Sequence, residues 1–279
     1  MKILVVTPTL GTSPWLAETV ASVAVHSPAG GHVLVAPAAA VATLATQFPH
    51  VMVVPEPESR RGMYAAINAG LSAVAEWDAF TYLNDDDFLL PRFAAVARAA
   101  EAAGDRPLLA YGRVRLVDVT GRRLGATPVS PWPRLNRTLY ALRLEPVFQQ
   151  GTVVTWAAWR QVGGFDEALR FCGDSEFLAR VCMAGVPAVR IGGEVAAFRL
   201  RPGQFTQDRA AMVAERSRVD AQLSLVASRH SWRLRLVRLI FRTANLAVYA
   251  ERLVRHGWIS FYELLVRGGH ASSQPADHS

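Results

Sequence analysis

Short apolar runs alternate with alanine-rich stretches along the first ninety residues: KILVVTPT, WLAETVASVAVH, HVLVAP, AAAVATLATQF, VMVVPE, MYAAINAGLSAVAEW and AFTYLNDDD. The apolar runs are short and rich in β-forming residues, Val in the first three and Phe, Thr and Tyr in the last, which predicts buried strands, and the longer stretches have the helical period. The resulting βαβαβαβ order predicts a mostly parallel, doubly wound sheet flanked by helices. In such sheets ligands lie beyond the carboxyl ends of the strands. Those ends are Thr7-Pro8-Thr9, Ala36-Pro37, Pro55-Glu56-Pro57-Glu58 and Asn84-Asp85-Asp86-Asp87.

Further on, RFAAVARAAEAAG predicts a helix and LLAYGRVRLVDVTGRRLG a strand pair around a turn. The Pro/Arg-rich stretch 127–146 has no period that selects helix or strand. After it, GTVVTWAAWRQVGGFDEALRFCGDSEFLARVCMAG predicts a strand, a short helix and a longer one, and the chain from 209 onward is mostly helical. From Trp232 to Trp258 the pattern is basic and amphipathic, with Arg235, Arg238 and Arg242 in one sector of a helical wheel and Trp232, Leu236, Leu239 and Ile240 in another.

At 279 residues and 51% hydrophobic composition the chain can bury a full core. Its net charge of +7 is uneven: residues 198–279 hold 13 arginines against 6 acids, so the whole excess lies in the last third. Nearly all the basic charge is arginine, since Lys2 is the one lysine. Cys172 and Cys182 fit neither a zinc spacing nor a disulfide framework, so the expected compartment is reducing. The opening MKILVVTPTLG turns polar at Thr7, which suits a first buried strand better than a signal peptide. TPTLGTSP lacks the three spaced glycines of a dinucleotide loop, and no Gly-Lys-Ser or Gly-Lys-Thr phosphate loop occurs. NAD-linked chemistry and ATP hydrolysis are thereby disfavoured. No nucleic-acid module accompanies the high pI.

The run Asp85-Asp86-Asp87 raises the chemical question, because each carboxylate makes its neighbours harder to ionise and such a cluster needs a cation or solvent to offset it. A solvated acidic turn is the plain alternative. Its place at a strand end, where a doubly wound sheet keeps its ligand, favours function.

Four stretches together resemble the bacterial glycosyltransferase family 2 enzymes of GT-A fold: ILVVTPTLG, EPESRRGMYAAINAGLSAV, YLNDDDFLLP and VGGFDEALRFCGDSEFLARVCMAG, in the family's order and within residues 3–206. The resemblance implies a Rossmann-like GT-A domain over 1–206, with a nucleotide-binding half 1–90 and an acceptor half 91–206, followed by a helical basic extension 207–279. It implies transfer of a sugar from a nucleotide-diphosphate donor to a glycan or lipid-linked acceptor in cell-surface polysaccharide synthesis, inverting at the anomeric carbon. Implied donor contacts are Thr7, Pro8, Thr9, Glu56, Asn68, Asn84 and Asp85, with Asp86 and Asp87 holding a divalent Mn2+ or Mg2+ through oxygen ligands. Asp86 is the first choice for the metal, and the division of roles among the three aspartates stays open. Asp174, at a helix start where a lowered pKa is expected, is implied as the base that takes the acceptor's proton, with an N-cap role as its alternative. Acceptor or diphosphate contacts implied are Gln150, Glu176, Arg199 and Trp132.

Departures qualify this resemblance. VLVAPAAAV lacks the family's base-contacting aspartate, Ala65 stands where relatives carry Asp, and the histidine near FRLRPGQFT is missing, leaving Arg199, Arg201 or Thr206 to face the diphosphate. Gln149-Gln150 could instead fix a turn, Arg60-Arg61 could bind phosphate or be solvated, and Trp156 and Trp159 suit the core better than a sugar wall. The basic tail suits an anionic membrane surface or packing on the domain or a homodimer partner, and is interrupted by arginine too often to span. The expected location is cytoplasmic, peripheral on the inner face of the membrane. A non-catalytic sugar-binding protein and a sugar-phosphate nucleotidyltransferase are the competing readings, although the latter lacks its glycine-rich triphosphate loop.

Overall fold

In the computed structural model, which describes residues 1–27, 30–60, 62–142, 144–201, 209–223 and 232–257, the alternating pattern becomes alternating elements. These are β1 (Ile3–Pro8), α1 (Leu16–His26), β2 (His32–Ala36), α2 (Ala38–Gln47), β3 (Met52–Pro55), α3 (Met63–Ser72) and β4 (Ala79–Tyr82). Then come β5 (Phe88–Leu89), α4 (Phe93–Ala103), β6 (Leu109–Val117), β7 (Arg123–Ala126), α5 (Asn136–Ala141), β8 (Thr152–Thr155), α6 (Trp156–Val162), α7 (Gly173–Met183) and β9 (Ala188–Arg199). Three helices follow: α8 (Arg209–Gln222), α9 (Trp232–Ala244) and α10 (Leu246–His256).

The strands form a nine-stranded sheet in the order β3-β2-β1-β4-β8-β6-β9-β5, with β7 beside β6. β3, β2, β1 and β4 are parallel, and β4 pairs antiparallel with β8. Alternate residues of β1 enter opposite cores: Leu4 and Val6 pack with Tyr64, Ile67 and Phe177, while Ile3 and Val5 pack with Val23, Phe93 and Val96. The sheet is therefore covered on both faces, which is why its strands read as continuous apolar runs. Close approach of α3 depends on Gly70, where a Cβ would lie 2.6 Å from Val6 Cγ1. The strand order reverses at the β1/β4 boundary, since β2 and β3 lie on one side of β1 and β4 on the other. The loops after β1 and β4 thus meet at one end of the sheet, the place such folds keep their ligands.

Two elements were invisible in the pattern. β9 contains Arg190, the pair Gly192-Gly193 and Glu194, which break any alternation, and it is a strand because it pairs with β6 through shifts of register near Arg113. β5 is two residues long and is defined by its pairing with β9, Phe88 opposite Ala197. Within the unassigned stretch 127–146 lie a 3-10 turn, Pro133–Leu135, and α5. The expected boundary at 206/207, together with Thr206, Arg61 and Trp258, lies outside the described residues.

α10 packs on β7, and the buried Asn245 accepts from Val129 N–H at 2.9 Å and donates to Val129 O at 3.0 Å. Arg123 bridges Glu194 and Glu251 of α10, and His256 reaches Leu124 O. Part of the tail therefore packs on the sheet edge. α9 shows the opposite face: Trp232, Leu236 and Leu239 of its apolar sector are exposed, whereas Phe241 is buried. None of the described helices is long and apolar enough to cross a membrane.

Candidate active site

The acidic loop is built by three converging elements. From the β1 side, the Thr9 hydroxyl donates to Asp85 Oδ2 at 2.6 Å and accepts Gly11 N–H, and the Ser13 hydroxyl donates to Asp85 O at 2.8 Å. From the far strand, the β5/β9 pairing puts Arg199 two residues beyond Ala197 and so beside the triplet. Its backbone N–H donates to Asp87 Oδ1 at 2.9 Å and its Nε to Asp86 O at 3.0 Å. From the turn before β8, Gln150 Nε2 donates to Asp87 Oδ2 at 3.2 Å, beside Asn84 Nδ2 at 3.0 Å.

The three carboxylates consequently have different surroundings. Asp87 is fully buried and both oxygens accept protein N–H groups; burial, and then the Asp86 charge, push its carboxyl well above the usual range. Asp85 is raised by burial, with the Thr9 hydroxyl opposing. Asp86 forms an ion pair with Arg201 Nε. Thus part of the offset for the crowded charges is supplied by arginine and backbone N–H groups.

Arg199 is 1% exposed and is a scaffold for this loop. Its Nη1 donates to Asp118 O and Val119 O, its Nη2 pairs with Glu18, and its guanidinium lies 5.3 Å from the Trp15 ring and 5.5 Å from the Phe88 ring. Thr7 is buried and its hydroxyl meets His32 Nε2 at 3.0 Å; Pro8 closes β1 beside it. Burial lowers His32 to about 4, so this ring is neutral.

Asp174 lies in the first turn of α7, whose N-cap position is Cys172, and Asp174 accepts Ser175 N–H at 2.8 Å. The Tyr64 hydroxyl donates to it at 3.4 Å. Gly173 makes room for that ring, because a Cβ there would fall 2.5 Å from Tyr64 Cε2. A helix start favours the ionised carboxylate, yet burial followed by the charge of Glu145 pushes Asp174 up to about 6. The expected lowering is reversed because removal from water outweighs the helix end. Asp174 also shares a small cavity with Tyr82 and Gln149, at the β4 end from which the acidic loop departs.

A network that the sequence did not reveal supports this side. Glu215 of α8 is 3% exposed and accepts the backbone N–H groups of Arg170, Phe171 and Cys172 at 2.6 to 2.8 Å, tying the loop ahead of Asp174 to the helical extension. Arg216 donates to Glu145 at 2.6 Å and to the Ser175 hydroxyl at 3.1 Å. Nothing in the local pattern of α8 distinguishes Glu215 from a solvated glutamate.

Several expected contacts are engaged within the protein. Glu176 is buried and paired with Arg180, which also donates to Val162 O and Gly164 O, holding the VGGF turn on α7. Asn68 spans from α3 to the same turn, donating to Phe165 O and Glu167 at 2.9 Å and accepting Phe165 N–H at 3.0 Å. Glu56 accepts Gly62 N–H at 2.6 Å, and Arg60 pairs with Glu167. Gln149 donates to Tyr82 O, so the amide pair fixes the turn. Trp159 packs among Phe80, Phe165 and Phe177 as expected, whereas Trp156 meets Trp77 edge-on but is 43% exposed and so is not a core residue, and Trp132 stands 49% exposed in its loop.

This sheet, with its acidic loop after β4 and helices on both faces, is a GT-A fold with a helical C-terminal extension. TarS (1–349) of S. aureus, in a crystal structure with UDP-GlcNAc, is similar at a TM-score of 0.60 and 14% identity, covering 95% of this chain and 82% of that one. The mannosyltransferase PcManGT of Pyrobaculum calidifontis, in complex with GDP-Man and Mn2+, has a TM-score of 0.55 at 16% identity, covering 97% and 79%. GalNAc-T7 with UDP, GalNAc and Mn2+ has a TM-score of 0.57 at 15% identity, where 79% of this chain matches 48% of that one. The structural neighbours are glycosyltransferases. No protein-family profile and no curated protein matches the sequence.

Among the described residues no group of three His, Cys, Asp or Glu converges to hold a metal. Asp86 pairs with Arg201 and Asp87 is directed inward, so a hard divalent ion, which takes one or two carboxylates plus phosphate oxygens and water, would find its carboxylate here in Asp86.

Proposed function

We propose that this chain is a nucleotide-sugar glycosyltransferase resembling family 2, inverting, and acting on a glycan or lipid-linked acceptor. One observation carries the reading: the Thr9–Asp85 bond joins the loops after β1 and β4, while Asp174 stands over the same end of β4, so donor-side and acceptor-side carboxylates share one strand end. Thr9 and Asp85 would contact the nucleoside and Asp86 would hold Mn2+ or Mg2+ with the donor diphosphate. Asp87, whose two oxygens accept three N–H groups, would anchor the loop rather than hold the ion. A bound ion would supply neutralisation of the diphosphate charge. Asp174 takes the proton from the acceptor hydroxyl as that oxygen bonds the anomeric carbon and the bond to the diphosphate breaks. Gln150, Glu176, Asn68 and Arg199 then act by positioning, and Trp132 remains the candidate acceptor platform.

Diphosphate release measured with a panel of nucleotide sugars and Mn2+ tests this reading. Release stimulated by one donor is expected; nucleotide binding without release from any donor, with acceptor present, would mark a binding protein.

The same proposal places α9 and α10 on an anionic membrane face. Trp232, Leu236 and Leu239 of α9 are exposed next to the exposed Arg235 and Arg242, and Leu246, Leu253 and Val254 of α10 lie exposed with Arg255. Apolar insertion flanked by arginine suits such a surface, each interfacial arginine being worth about 1 kcal/mol. Sedimentation with anionic vesicles should exceed that with neutral vesicles and fall as salt rises. Equal partitioning, or a concentration-dependent dimer without vesicle binding, would assign the face to protein contact.

A further inference from the structure

We infer that Arg216, on α8 of the helical extension, is a positioning residue for Asp174: it clamps Glu145 to Ser175 and offsets the charge of that second carboxylate beside the base. The inference rests on the nucleotide-sugar reading above, in which Asp174 takes the acceptor's proton. It starts from two neighbours in α8 that address two sides of one turn. Glu215 accepts the N–H groups of Arg170, Phe171 and Cys172, just ahead of α7. Arg216, about 100° further round the helix, reaches the first turn of α7 itself. Its Nη1 donates to Glu145 Oε1 at 2.6 Å and to Ser175 Oγ at 3.1 Å, while the Ser175 hydroxyl donates to the same Glu145 oxygen at 2.8 Å. From within α8, Asp220 Oδ1 meets Arg216 Nε at 3.3 Å.

Ser175 follows Asp174 directly, so this closed set of contacts stands one residue from the proposed base. The titratable groups around Asp174 come from every element packed there: Tyr64 of α3, Tyr82 of β4, Tyr140 of α5, Cys172 ahead of α7, Glu145 of the loop after α5, and Glu215 and Arg216 of α8. Burial holds the three phenols and the thiol above their usual ranges, so they are uncharged at neutral pH. Glu215 is taken up by its three N–H groups. The charges left to act on Asp174 are Glu145, which makes it harder to ionise, and Arg216, which opposes Glu145. Solvent screens this pair only in part, because the Arg216 side chain is 20% exposed although that of Glu145 is 40% exposed. Without the guanidinium the Glu145 charge acts unopposed, and the acceptor hydroxyl meets a carboxyl that stays protonated to higher pH. The extension thus completes the acceptor side of the site, and a catalytic unit ending at 206 lacks that part.

Full-length protein labelled at the aspartate carboxyl carbon and titrated by NMR reads the Asp174 midpoint without turnover, its signal being the one that Asp174→Asn removes. Arg216→Gln should move that midpoint up by about one pH unit, and Arg216→Lys, which keeps the charge, should stay close to wild type. Sugar transfer by Arg216→Gln should correspondingly fall roughly tenfold at pH 5 and approach the wild-type rate near pH 8. A second comparison leaves Glu145 out of account: adding Arg216→Gln to Glu145→Gln should again raise the midpoint, by a similar amount, above that of Glu145→Gln alone. Equal midpoints in either comparison overturn the inference and leave Arg216 as a fastening of α8 to the domain. The expected midpoints in a wild type that releases diphosphate from no donor overturn the nucleotide-sugar reading, and with it Asp174 as a base.

Discussion

Asp174→Asn is expected to slow sugar transfer by roughly 10² to 10⁴ while nucleotide binding is unchanged, because asparagine keeps shape and hydrogen bonding but cannot accept the acceptor's proton. The wild-type rate should rise with pH through about 6, the value to which burial and Glu145 push this carboxyl. Glu145→Gln removes the neighbouring negative charge, so that limb should move to lower pH. Stability gives an independent readout. The folded value of about 6 lies above the ordinary 3.8. The stability this group contributes is therefore present below its unfolded pKa and lost as pH rises through about 6. At pH 8 the ionised Asp174 opposes folding, and the asparagine variant should melt no lower than wild type. An inactive protein that is equally or more stable marks a functional residue. Near-normal turnover by a folded Asp174→Asn would transfer attention to Glu145, the other carboxylate of that cluster.

Asp87→Ala should cost about 3 to 5 kcal/mol of unfolding free energy in urea titrations, since it strands the Arg199 N–H, the Asn84 amide and the Gln150 amide in a buried site. The loss is a large share of the stability of an ordinary domain, so poor expression of this variant is also expected. A metal ligand behaves differently: its removal weakens ion binding and leaves the unfolding curve nearly unmoved. A cost below about 1 kcal/mol, together with lost Mn2+ binding, would return Asp87 to the coordination shell. Asp86→Asn is the contrasting variant, with ion binding lost and stability nearly retained.

The chain's own pattern determined the doubly wound half in detail. Strands buried on both faces must read as apolar runs, so β1 to β4 and the helices between them could be placed from periodicity, and the acidic triplet could be assigned to a strand end. α3 shows the limit of that reasoning: the apolar stretch continues to Trp77, but the helix stops at Ser72 as Trp77 turns in to pack against Phe80 and Trp156. Tertiary structure alone decided how the three aspartates divide. Their identical chemistry carries no order, and their roles depend on which neighbours arrive from positions 9, 150, 199 and 201. It also decided β9, which becomes a strand by pairing with β6, and Glu215, a polar helix residue until it caps the loop before Asp174. Local sequence specifies local backbone and which faces seek burial, whereas the electrostatic character of a carboxylate is set by desolvation and by charges distant in the chain.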